Sequence, residues 1–217
     1  MTAADVERFE RVLADGGVGL FPADTVYGLA ADAESETGVR RLYELKGRPP
    51  DKPAAVMFFD PDPCLAVLEP LGPRTREAIS KLLPGPITAI VPNPERLYPL
   101  AAGPEPEKLG IRLHGFGPDL SPLLAIRRPV LQSSANPSGG PDPRRIDDVD
   151  PGIRAGAGAE LDGGELPGTP STVVDLTRFE ADGEYVVLRE GAVSAAELGK
   201  NLRPNKFSHG PARKHCA

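Results

Sequence analysis

Apolar and polar positions alternate along this chain in short blocks. Between positions 4 and 15, Val6, Phe9, Val12 and Leu13 recur at helical spacing, and the run stops at Gly16-Gly17. This spacing predicts an opening amphipathic helix. The apolar run VGLFP (18–22) follows the turn and is read as a buried strand, and Ser35 can cap a second helix built on Val39, Leu42 and Leu45. The chain therefore starts helix, strand, loop, helix. Further short strands are predicted at 54–59 (AAVMFF), 86–91 (PITAIV), 110–113, 129–132, 171–176 (STVVDL) and 185–188. Helical patterns intervene near 73–83, near 120–126 and from 194 to about 200. Strands alternating with helices predict an α/β domain with a mixed sheet.

Composition changes this picture at two points. The chain has 217 residues, 26 of them Pro and 24 Gly, a share of 23 %, just under the roughly 25–30 % at which disorder becomes the expectation. Here these residues cluster between the apolar runs, in GRPPDKP, PGP, PNPERLYP, NPSGGPDP and GGELPGTP. They punctuate the elements, which predicts stiff, shaped loops. The second point is charge. From Lys200 to Ala217 there are five Lys or Arg and no acid, so residues 1–199 carry a net −11 within the total of −6. The domain is therefore placed at 1–199 and a basic tail at 200–217, either a solvated end or a nucleic-acid contact. With 40 % apolar residues and no apolar run near the ~20 that a membrane helix needs, no membrane partner is expected. The opening MTAADVERFE resembles no leader, and a cytoplasmic location is expected. Cys64 and Cys216 form neither a disulfide framework nor a zinc site.

Candidate chemistry lies in the loops. No GxxxxGK[ST], GxSxG or HExxH occurs. Lys46, Arg48 and Lys52 fall within KGRPPDKP, directly after the second helix. Cations held on a stiff loop can converge on a phosphate, or can simply form a solvated basic loop. Ser133-Ser134-Ala135-Asn136-Pro137-Ser138-Gly139-Gly140 leaves a strand and offers neutral donors to a crevice, or is an ordinary turn. In PADTVYGL, Asp24, Thr25 and Tyr27 could line a pocket, or Asp24 could cap the turn while Tyr27 packs. Arg112 inside the apolar GIRL, and Arg189 after YVVL, are either edge residues or partnered charges facing a site.

Taken together, these stretches resemble the YrdC/TsaC family of L-threonylcarbamoyladenylate synthases. The hallmark of that family, K-x-R followed far downstream by S-x-N, is matched by Lys46, Arg48, Ser134 and Asn136. ADTVYGLAADA, PGPITAIV, LGIRL, STVVDL and VLREGAVS resemble further family segments in the family's order, from about Gly16 to about Leu198. The resemblance implies a single YrdC-like domain, a twisted mixed sheet flanked by helices around a large, open, positively charged cavity. It implies condensation of L-threonine, bicarbonate or CO2, and ATP into threonylcarbamoyl-AMP and pyrophosphate, with Mg2+ accompanying the phosphates and no metal site of the protein's own. The product would pass to downstream proteins that transfer the threonylcarbamoyl group to tRNA.

By the same resemblance Lys46, Arg48, Ser134 and Asn136 are catalytic, and Arg48, Lys52, Lys108, Asn136, Arg144 and Arg189 bind ATP. Thr25, Arg112, Ser134 and Ser171 surround threonine, with Arg112 on its carboxylate. Ala23 and Met57 depart from the family's Thr and His, so ATP use is implied more firmly than strict threonine selectivity. Two alternatives stand beside this reading, a carbamoyl-adenylate-forming enzyme of the same fold and a double-stranded RNA or tRNA-binding module. The −11 body argues against broad contact with a phosphate backbone.

Overall fold

The computed structural model describes residues 1–115 and 117–202, so the expected basic tail beyond Leu202 lies outside the described residues. The opening helix α1 (Ala3–Ala14) forms as expected. Thr2 and Asp5 make a reciprocal capping box, and Val6, Phe9 and Leu13 form its buried stripe. Strand β1 (Gly19–Pro22) follows. The next segment corrects the expectation of a loop, because residues 23–26 are only a turn and Tyr27–Asp32 forms strand β2. Five of the six β2 residues are buried, and four of the six are Gly, Ala or Leu. A strand buried on both faces shows no period-2 signal, and small residues hide it further.

Ser35 caps α2 (Glu36–Lys46), as its position predicts, and Gly47 ends the helix in the left-handed region at φ 62°. Strand β3 (Ala55–Phe58) is followed by α3 (Pro61–Leu68), a helix the apolar pattern did not show. Then come α4 (Pro73–Leu82), β4 (Ile87–Pro92), the single turn α5 (Pro99–Ala102) and β5 (Lys108–Leu113). The helix expected near 120–126 is a 3-10 helix at Pro118–Ala125. Pro122 sits inside it and cannot donate an α-helical hydrogen bond. Strand β6 (Val130–Ser134), α6 (Pro151–Gly156), β7 (Ala159–Glu160), β8 (Thr172–Asp175), α7 (Phe179–Asp182), β9 (Val186–Arg189) and α8 (Ala195–Leu202) complete the order. Helix α8 runs past residue 199 and buries Leu198 and Leu202.

The strands form one mixed nine-stranded sheet in the order β7-β1-β2-β6-β3-β5-β4-β8-β9. Three neighbouring pairs are parallel (β1 with β7, β3 with β5, β4 with β8), and the others are antiparallel. Helix α1 packs on β1, β2 and β7, α2 on β2 and α6, α3 on β3 and β5, and α4 on α7 and α8. Period-2 alternation then sorts the central strands into two faces. Val56, Phe58, Ala89, Val91, Leu109, Ile111 and Val174 point into the core. Their neighbours Ala55, Thr88, Ile90, Lys108, Gly110, Arg112, Val173 and Asp175 line a single cavity on the other face.

Candidate active site

The cavity has a volume of about 620 Å³. Its floor is the open face of β5, β4, β3, β6 and β8. Its walls are the β1–β2 turn, the loop after α2, the turn after β6, and residues 170–171 before β8. Gly110 stands between Lys108 and Arg112, and a Cβ there would lie 3.4 Å from Ala55, so the missing side chain leaves the floor low between two cations. The charged lining is Lys46, Arg48, Lys52, Lys108, Arg112 and Arg189 against Glu105, Asp142 and Asp175.

At one side the two halves of the K-x-R and S-x-N pattern meet, although 88 to 90 residues separate them. The Lys46 Nζ donates to the Ser134 carbonyl at 2.6 Å, and to the Asn136 carbonyl and Asn136 Oδ1 at 2.7 Å each. Ser134 Oγ donates to the same Oδ1 at 2.6 Å, and Asn136 Nδ2 donates to the Gly140 carbonyl. Burial, reinforced by the nearby Arg48 charge, pulls the Lys46 ammonium down to about 8. Arg48 donates to the Pro53 carbonyl and lies 5.6 Å over the Tyr43 ring. Its buried Nε has no hydrogen-bond partner among the described residues.

At the other side Arg112 is buried and paired with Asp24, and the same guanidinium donates to Thr25 Oγ1 at 3.3 Å. Asp24 also accepts from the Gly115 N–H at 3.2 Å. Thr88 and Ser171 share a hydroxyl hydrogen bond of 2.9 Å, and Arg189 donates to the Ser171 carbonyl and hydroxyl at 2.8 and 3.2 Å. Thr25, Thr88, Ser171, Arg112 and Arg189 thus present hydroxyls and guanidinium groups suited to a carboxylate and its neighbouring polar atoms.

Of the residues singled out in the sequence, Thr25, Lys46, Arg48, Lys52, Lys108, Arg112, Ser134, Asn136, Ser171 and Arg189 all reach this one cavity. Lys108 is 3.4 Å from Glu105, which lines the cavity with it. Arg144 is not among the lining residues. Its guanidinium turns to Glu165, at 2.9 Å, and to the Leu166 carbonyl. Met57 pairs in register with Arg112, so its side chain shares the cavity face, but it is fully buried beneath the lining. Ala23 is likewise buried. Thr88 and Asp142 were missed. The signal for Thr88 was its alternation with the apolar residues of PITAIV, which places 88 and 90 on one face and 87, 89 and 91 on the other. Asp24 and Arg112 were seen separately, but nothing in the sequence paired them.

A family model described as "Telomere recombination", covering Sua5, YciO and YrdC proteins, matches residues 11–191. The threonylcarbamoyl-AMP synthase of Pyrococcus abyssi is 33 % identical over 188 residues, covering 86 % of this chain and 54 % of that protein. The threonylcarbamoyl-AMP synthase of Bacillus subtilis is 32 % identical over 200 residues, covering 89 % of this chain and 55 % of its own. The chain thus spans about half the length of these curated relatives. The crystal structure of P. abyssi Sua5 complexed with L-threonine superposes with a TM-score of 0.79 at 30 % identity, over 93 % of this chain and 58 % of that one.

Proposed function

The chain belongs to the Sua5/YciO/YrdC family, and from that membership we propose that it is a threonylcarbamoyl-AMP synthase, joining L-threonine, bicarbonate or CO2, and ATP. One observation carries the reading. Lys46, Arg48, Ser134 and Asn136 assemble at one cavity whose other side presents Arg112, Thr25 and Ser171.

In this reading Arg112, Thr25 and Ser171 hold the amino acid, Arg112 through its carboxylate. The α-amino group adds to CO2, losing a proton and forming a carbamate. A carbamate oxygen then bonds to the α-phosphorus of ATP while the bond to the β-phosphoryl oxygen breaks, and pyrophosphate leaves with the electron pair. No nucleophile of the protein is needed. The step asks for alignment of two anions and neutralisation of their charge, which the cations lining the cavity supply. Among the described residues no three His, Cys, Asp or Glu side chains converge as a metal cage. Mg2+ is proposed as part of the substrate, carried by the phosphates. The product is a reactive mixed anhydride, to be passed to a protein that transfers its acyl group to tRNA in the cytoplasm. No helix among the described residues is long and apolar enough to cross a membrane.

The test is pyrophosphate release from ATP, with mass spectrometry of the nucleotide product. Release that requires both threonine and bicarbonate, with a threonylcarbamoyl-AMP mass, is expected. ATP turnover indifferent to threonine, or turnover only when carbamoyl phosphate replaces threonine and bicarbonate, would overturn the reading.

A further inference from the structure

Lys46 is the last residue of α2 and lies at the cavity, where a lysine after a helix and before a Pro-rich loop invites assignment to a phosphate. The hydrogen bonds say otherwise. A lysine ammonium has three donors and no acceptor. Here three acceptors stand within 2.7 Å of Nζ: the Ser134 carbonyl, the Asn136 carbonyl and Asn136 Oδ1. The acceptors lie on the last residue of β6 and in the turn that follows it. The Lys46 backbone carbonyl accepts from the Ser138 N–H at 3.1 Å, so the same residue grips the turn at two places. Asn136 is tied into the same unit, its Oδ1 shared by Lys46 and Ser134 and one of its two Nδ2 hydrogens given to Gly140.

Arg48 and Lys52 differ. Arg48 is half-buried, lines the cavity and gives one guanidinium hydrogen bond to the chain, to the Pro53 carbonyl. Lys52 is exposed and lines the same cavity. We propose that Lys46 is a positioning residue, a peg that fixes the turn 134–140 at the cavity before any ligand arrives, and that the ligand's phosphates are met by Arg48 and Lys52. Naming phosphate as the ligand rests on the synthase reading, whereas the peg is a property of the free protein. Its value is pre-organisation. A turn of Ser, Asn, Pro and Gly that was left mobile would have to be ordered in each binding event, and that ordering entropy opposes binding.

The ligand-free chain labelled with 15N-lysine tests the peg directly, the Lys46 ammonium signal being assigned by its loss from Lys46→Arg. A Lys46 ammonium that exchanges slowly with water without ATP, and whose shift moves less than that of Lys52 when ATP is added, is expected. A Lys46 ammonium that exchanges as fast as the surface lysines until ATP is added, or that moves more than Lys52 on its addition, would overturn the proposal. Kinetics supply the second arm. Lys46→Met and Asn136→Ala each displace the same turn, and an ångström of misplacement costs on the order of 10²-fold in kcat/KM. Because they break one unit, the double variant should lose no more than the worse single, whereas independent contacts would multiply to about 10⁴-fold and refute the peg. Wild-type protein that releases no pyrophosphate with threonine and bicarbonate would remove the synthase reading, and the ammonium exchange would still decide the peg.

Discussion

Arg112 is only 3 % exposed, and Asp24 is the acid that neutralises it. Asp24 balances the guanidinium charge, and the buried Nε of Arg112 has no hydrogen-bond partner among the described residues. In the sequence Arg112 was open between an edge residue and a partnered charge facing a site; it is central, partnered and site-facing. The sequence did not name the partner because 88 residues lie between the two. Removing one half of a buried pair leaves the other charge uncompensated, a loss of about 3–5 kcal/mol. Asp24→Asn should therefore lower the unfolding free energy measured in urea by that order, and Asp24→Asn combined with Arg112→Leu should recover much of it while abolishing threonine-dependent pyrophosphate release. Equal destabilisation by the single and double variants would show that Asp24 acts through something other than Arg112. Arg48 makes the contrasting case. It is half-buried and, among the described residues, donates one hydrogen bond, to the Pro53 carbonyl. Arg48→Ala should weaken ATP binding in calorimetry by at least tenfold and shift the urea midpoint little, since a partly solvated loop cation adds little stability.

At the scale of elements, the sequence was legible wherever a periodic apolar run met an ordinary stop signal. α1, α2 and α4 and the strands β1, β3, β4, β5, β6, β8 and β9 lie where the pattern puts them, within a few residues. Two of the missed helices share a cause. Asp-Pro suits a turn as well as a helix start, and Asp60 and Asp150 are each an N-cap aspartate followed by proline at the first helical position, opening α3 and α6. β2 was lost for the opposite reason, being too uniformly buried and too small-residued to alternate. Where α2 stops matters most for the site, because the stop separates Lys46, the proposed peg, from Arg48, the arginine proposed to meet phosphate. Gly47 ends the helix at φ 62°, and a Cβ there would meet nothing within 4 Å, so substitution adds backbone strain and no clash. Gly47→Ala should cost about 1–2 kcal/mol by urea unfolding. Because the strain falls between Lys46 and Arg48, it should raise the KM for ATP more than it lowers kcat. An unchanged KM would mean the helix end and the cation loop are not coupled.

The order of the nine strands belongs to the whole molecule and could not be read from any window of sequence. β6 lies between β2 and β3, which precede it by about a hundred and about seventy-five residues, and that insertion brings the S-x-N turn against the end of α2. Only the resemblance, with its motifs in a fixed order, pointed to that meeting. The same long-range closure buries His114 just past the end of β5. Its backbone N–H donates to the Phe58 carbonyl at 3.0 Å, its ring stacks on Phe59 at 5.7 Å, and its Nε2 lies 3.2 Å from the Pro22 carbonyl. Burial holds this imidazole below its ordinary range, with Asp24 acting partly against the shift and Arg112 adding to it. Between the depressed native value and about 6.5, the unfolded chain binds a proton that the native chain refuses, so stability rises with pH across that window. Above about 6.5 neither state is protonated and the contribution is flat; below it, stability is lost at up to ~1.4 kcal/mol per pH unit. Many carboxylates also titrate in acid, so the measurement is a difference. Urea midpoints of wild type and His114→Gln, followed from pH 8 to pH 5, should run parallel above pH 7 and converge below it, because the variant lacks the group whose protonation unfolds the native chain. Curves that stay parallel down to pH 5 would show that His114 does not sense the proton.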